Sequence, residues 1–128
     1  MDNYKFPPPA SIEAFNGTWQ LISAVTDGKP VPADEIRNVR VVISGGKHTV
    51  WIGEQIAVHE IPFTVDLSVT PHRTTDTLPD GRFILGISKL EGDTLTSCVA
   101  PAGEERPQKF ASDPGSGHTL RVFQRSQV

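Results

Sequence analysis

Ser11-Ile12-Glu13-Ala14-Phe15-Asn16-Gly17-Thr18-Trp19 is the stretch on which the reading of the fold turns. Its first five residues begin with a hydroxyl side chain able to cap a short helical turn. Its last three open a run, 18–26, that is rich in the β-branched and apolar residues of a strand. Seven further runs of that kind follow, at 39–44, 48–52, 56–66, 73–78, 82–90, 94–99 and 119–125. Between them stand Gly45-Gly46, Gly53-Glu54, Pro79-Asp80-Gly81 and Glu91-Gly92-Asp93, and the last three of these read as tight hairpins. A second helical turn is expected at Pro32-Ala33-Asp34-Glu35-Ile36, where Pro and acids sit at the start.

Eight antiparallel strands without a long helix must pack as two sheets or close on themselves. Closure removes exposed edges and leaves a lumen just wide enough for side chains or one small ligand. The ends of the chain favour closure. Gly17-Thr18-Trp19 resembles the Gly-x-Trp signature of lipocalins. That resemblance implies that Trp19 closes the floor of a barrel beneath an Arg from the last strand, and Arg125 stands in the matching place. Nearly the whole chain is similar to the small, uncharacterised lipocalin-like domain family abundant in planctomycete proteomes, a calycin-type barrel. The matching stretches are Gly17-Thr18-Trp19, Asp27-Gly28-Lys29-Pro30, Leu85-Gly86-Ile87, Gly92-Asp93-Thr94-Leu95, residues 100–107 and Pro114-Gly115-Ser116-Gly117-His118. This resemblance implies a fold and carries no activity over. The chain departs from it at His59, where members usually place an acid, and at His48, where they place an aromatic. The expected fold is therefore all-β: an up-and-down lipocalin-like barrel of about eight antiparallel strands, with short helical turns before strand one and between strands one and two.

The 128 residues make one domain by length, expected over 10–128, behind a loosely held arm at 1–9. Twelve basic against fifteen acidic residues leave a net charge of −3, which lacks the basic surplus that nucleic acid selects. The N-terminus shows no secretory pattern, and no run is apolar enough for a membrane span. One cysteine, Cys98, allows no internal disulfide and suits a reducing compartment, so a cytoplasmic protein is expected.

Counting connections upward from a floor at Trp19 puts residues 27–38, 53–55, 79–81 and 100–118 at the mouth. The segment 100–118 is either a lid over the opening or a packed Ω-type loop covering the sheet edge. Alternation along the strands then assigns faces. His48, Val50 and Ile52 share one face, as do His59, Ile61, Phe63 and Val65. A two-residue turn at Gly53-Glu54 would set His48 opposite His59, both pointing inward. Such a pair either works as general acid or base, or holds a ligand, or simply packs with a backbone or water partner. No third donor stands at convincing metal spacing, so neither metal nor other cofactor is expected. Phe83, Leu85 and Ile87 are expected to face in beside Leu95, Ser97 and Val99, with Ser97 reaching a ligand or its own backbone. Arg121 shares the face of Phe123, as a lumen cation or, by the cost of burying it, as an outward residue. Asp66, Asp76, Asp80 and Asp93 read as turn formers. Trp51, on the outer face, points to a homodimer contact.

The leading expectation is binding of a small apolar or aromatic molecule in the lumen by His48, Val50, His59, Phe63, Phe83, Leu85, Ser97, Arg121 and Phe123. One rival is an enzyme, an isomerase or cyclase of a biosynthetic pathway, using His48 and His59 for proton transfer. Another is a structural or interaction module with a filled core.

Overall fold

In the computed structural model, which describes residue 9 and residues 11–126, nine strands form one antiparallel sheet. They are β1 (Gly17–Thr26), β2 (Lys29–Pro30), β3 (Val39–Ser44), β4 (Lys47–Ile52), β5 (Gln55–Asp66), β6 (His72–Thr77), β7 (Phe83–Glu91), β8 (Thr94–Val99) and β9 (Thr119–Arg125). β9 pairs with β1, so eight strands close into a barrel; β2 is an extra two-residue strand on the end of β1. A 3-10 turn, Ile12–Phe15, precedes β1, and a single helical turn, α1 (Ala33–Ile36), precedes β3. The N-terminal arm expected at 1–9 lies, residue 9 apart, outside the described residues. Among the described residues no helix is long and apolar enough to cross a membrane.

Turn chemistry explains the connections. Gly45 and Gly46 have φ of 60° and 76°, the pair of positive values that a tight turn between twisted strands requires. Ile52 pairs with Gln55 across Gly53-Glu54, and Glu91 with Thr94 across Gly92-Asp93, so both are two-residue hairpins. The turn at Pro79-Asp80-Gly81 is wider: Leu78 N–H donates to the Arg82 carbonyl, and Asp80 accepts from Arg82 N–H at 3.0 Å and its Nε at 2.7 Å.

The floor is built around Trp19. Its indole is fully buried and donates from Nε1 to the Phe15 carbonyl at 2.9 Å, tying the 3-10 turn under the barrel. Trp19 pairs with Arg125 across β1 and β9, and the guanidinium carbon lies 4.3 Å from the centre of the indole. That guanidinium also donates to the carbonyls of Asn16 and Ala14 and to Asp93. It crowds residue 17, where an added Cβ would lie 3.0 Å from Nη1 and where a φ of +137° disfavours any side chain. Phe15, Leu21, Ile43, Leu95 and Phe123 pack with Trp19 to fill this end.

Two irregularities decide which side chains reach the interior. In β1 the register with β9 shifts between Leu21 and Ser23, so that Trp19, Leu21 and Ala24 are all buried while the intervening Ile22 is exposed. In β5 the register with β4 shifts twice, between Trp51 and Val50 and again between Val50 and His48. Each shift inserts one residue into β5, the second beside Glu60, whose φ is +47°. An inserted residue reverses the faces of everything beyond it.

The segment 100–118 borders the lumen with its ends, Ala100, Pro101 and Gly117, and is otherwise packed against the outer face of the sheet. It runs down the outside of β6, β7 and β8, where the Arg106 guanidinium donates to the carbonyls of Thr74 and Gly86 and to Thr75 Oγ1. Cys98 donates its thiol to the Ala111 carbonyl, and the Lys89 ammonium sits over Phe110. The loop ends against Gly28, whose N–H donates to Ser112 Oγ, and Gly117 N–H donates to Asp27. Between these anchors it covers Ile87 and Cys98, which are almost wholly buried although they point away from the lumen.

Candidate functional site

Above the Trp19 floor the barrel encloses a concavity of about 640 Å³. One wall, from β3 to β5, is apolar save for His48: Val41, Ile43, Val50, Val58, Ile61 and Phe63 line it. Its upper rim is exposed at Ile52 and Val58. The other wall, from β6 to β9, carries most of the polar groups, Thr74, Asp76, Ser88, Ser97, Thr119 and Arg121.

Of the residues expected in the lumen, His48, Val50, Phe63, Ser97, Arg121 and Phe123 line it. His59 does not. With two residues inserted in β5, His48 pairs with Ile61, and His59 is turned outward and exposed. The expected imidazole pair is thereby undone. Phe83 and Leu85 also lie off the lumen, and Phe83 is half exposed. In β7 the lumen lining comes from Ile84 and Ser88, because Gly86, Ser88 and Leu90 pair with Val99, Ser97 and Leu95 of the inward face of β8. The alternation misleads here since the outer loop buries the other face as well, and a strand covered on both sides shows no polar face to read.

His48 finds a different partner. Its Nε2 lies 3.2 Å from Asp76 Oδ2, with both side chains about one-fifth exposed, and its ring sits 5.8 Å from that of Phe63. Asp76 is no turn former; it stands within β6, paired with Phe63 and Ile84, and faces the lumen. Asp66, by contrast, ends β5 and accepts from Ser68 N–H and Oγ, which hold its carboxyl below the usual range.

Arg121 points inward, on the face of Phe123. Its guanidinium makes no hydrogen bond or ion pair among the described residues. Burial pulls its pKa down, while Asp76 and Cys98 act in the opposite direction. An arginine is tolerated there because the lumen opens upward to water and a carboxylate lies within its field. Beside it runs a row of hydroxyls. Arg121 pairs with Ser97, and Ser97 with Ser88. Ser88 is 2% exposed, and its Oγ has no hydrogen-bond partner among the described residues.

Among the described residues, no group of three or more His, Cys, Asp or Glu side chains is arranged to hold a metal ion. Trp51 lies on the outside, partly exposed, with the Arg40 guanidinium 4.8 Å from its ring centre. Cys98 is fully buried, and burial pushes its thiol up, away from nucleophilic use. Sequence reasoning missed Asp76 and Ser88. Alternation carried a signal for the first, since Asp76 shares a parity with Thr74 within a run already read as a strand. Comparison with known proteins returns no matching family model, no matching curated protein and no matching solved structure.

Proposed function

We propose that this protein binds one small apolar or aromatic molecule in the lumen of its barrel. The observation that carries the reading is the 640 Å³ concavity with its apolar β3–β5 wall. Sites for small ligands occupy roughly 300–1,000 Å³, are mostly apolar and converge on a few polar groups. Membership of the lipocalin-like family and a cytoplasmic setting belong to the same reading, supported by the closed barrel with its Trp19–Arg125 floor and by a single buried thiol. Titration with N-phenyl-1-naphthylamine, a neutral dye that brightens in apolar surroundings, tests the reading. Saturable binding of one dye per chain is expected, and Val50→Trp, which fills the lumen, abolishes it. Dye binding that never saturates, or that survives Val50→Trp in a folded protein, overturns the proposal.

A second reading has its own observation. The His48–Asp76 pair places an imidazole held by a carboxylate at the edge of an apolar cavity, an arrangement suited to proton transfer. An isomerase or cyclase working this way would rely on His48 and Asp76, with His59 taking no part. Turnover of any substrate that persists in both His48→Ala and Asp76→Asn removes this reading.

A further inference from the structure

Arg121, Ser97 and Ser88 lie side by side on three adjacent strands, β9, β8 and β7, all directed into the cavity. Directly opposed residues on neighbouring strands hold their Cβ atoms about 4.5–5.5 Å apart. The three side chains therefore present a guanidinium and two hydroxyls to one region of the lumen. Ser88 Oγ is a buried hydroxyl lacking a partner among the described residues, and Arg121 is a cation lacking one. The buried Ser88 hydroxyl forfeits its hydration without recompense, and the Arg121 guanidinium, which water reaches from the open end, has no fixed acceptor. A single ligand group that accepts from all three satisfies both at once.

From this row we infer that the natural ligand is a monoanionic carboxylate with an apolar body, its carboxylate oxygens accepting from Arg121, Ser97 and Ser88. The inference rests on the lumen-binding reading above and names the chemical class of molecule that the site takes. Charge fixes the class. The lumen offers one arginine, and Asp76 faces the same space while engaged with His48. A dianion such as a phosphate monoester would bring a second negative charge towards that carboxylate, with no second arginine to offset it. A carboxylate matches the single guanidinium, whose fork binds two oxygens at once. Geometry fixes the body. In the closed order of strands β9 stands across the barrel from β5, so a head held on β9 directs its remainder towards Ile61, Phe63 and Val58.

Decanoate and decan-1-ol, which share a chain and differ in the head, are compared as competitors of N-phenyl-1-naphthylamine at neutral pH. The wild-type protein is expected to favour the acid by about tenfold, the scale of a hydrogen-bonded charge pair. In Arg121→Gln that preference falls to within about twofold, through weaker binding of the acid. Should Arg121→Gln fail to fold, Ser88→Ala and Ser97→Ala take its place, and a narrowed preference in each is expected. Equal displacement by acid and alcohol in the wild type overturns the carboxylate assignment and leaves lumen binding standing. So does a preference that persists unchanged in the folded variants. If the dye itself shows no saturable binding, the lumen reading falls and takes this inference with it.

Discussion

Replacing Arg125 by methionine removes the head group that locks the floor while keeping most of its alkyl stem. The head contributes in three ways. It lies 4.3 Å from the centre of a fully buried indole, where a cation is worth about 1–2 kcal/mol. It donates to the carbonyls of Asn16 and Ala14, which fix the entry of the chain into β1, and each such bond is worth about 1 kcal/mol net because water can reach those partly covered carbonyls. Its contact with Asp93 is half exposed on the acid's side and adds no more than about 0.5 kcal/mol. The expected loss is about 3–4 kcal/mol, a large share of the ~5–15 kcal/mol that holds a domain together. For a chain of this length it lowers Tm by about 12–16 °C. Urea unfolding followed by circular dichroism and tryptophan fluorescence measures it, and Arg125→Lys, which keeps charge but loses the planar fork, should recover less than half. A loss below about 1 kcal/mol with an unchanged denaturant slope would refute the idea that the floor is clamped by this residue.

Three more outcomes are expected. Ser88→Ala should raise stability by about 1 kcal/mol, since it deletes an unpaired buried hydroxyl; a thermal melt that drops by several degrees instead would show that the hydroxyl has a partner. Arg106→Gln cuts the ties to Thr74, Gly86 and Thr75, so trypsin should cleave after Lys109 at least about tenfold faster than in the wild type, on a loosening of roughly 1.4 kcal/mol; equal rates would place the anchor elsewhere. Burial raises the Cys98 thiol in the folded state, so its contribution is complete below the ordinary thiol value of about 8.5 and is lost as pH climbs through the higher native value. Urea midpoints of wild type and Cys98→Ala, compared between pH 8 and 10, should show the steeper decline in the wild type, and parallel curves would contradict the assignment.

Much of the barrel was legible from the residues because its strands are bounded by turn chemistry. The runs 39–44, 94–99 and 119–125 coincide with β3, β8 and β9, and the others differ by one residue at one end or, for β6 and β7, at both. The Trp19–Arg125 floor was legible too, since both residues sit at chain ends whose meeting closure demands. Side-chain direction was harder to read. Strict alternation placed His59 beside His48, yet two inserted residues in β5 turned it out, and nothing in Ala57-Val58-His59-Glu60 announces a bulge. In β7 the apolar Leu85 and Ile87 looked like lumen residues, because their covering loop comes from far along the sequence. The cost of burying a lone cation argues for an outward Arg121, but an open lumen and the nearby Asp76 reduce that cost. Asp76 looks like a turn former by residue type alone, and its place inside a strand outweighs that.

The loop bound to the outside of β6, β7 and β8 gives the cylinder a double thickness on one side only. Around Gly86 that side has no slack: a single added carbon there would meet the Cys98 carbonyl, Thr74 Oγ1 and Val99, each at 2.8 Å. The β4–β5 tip has no such backing, and its Ile52, Ile56 and Val58 stand in solvent. On the binding reading proposed above, deformation is expected to follow the thinner wall, with a guest entering past these three residues while the staves bearing Ser88, Ser97 and Arg121 keep their spacing.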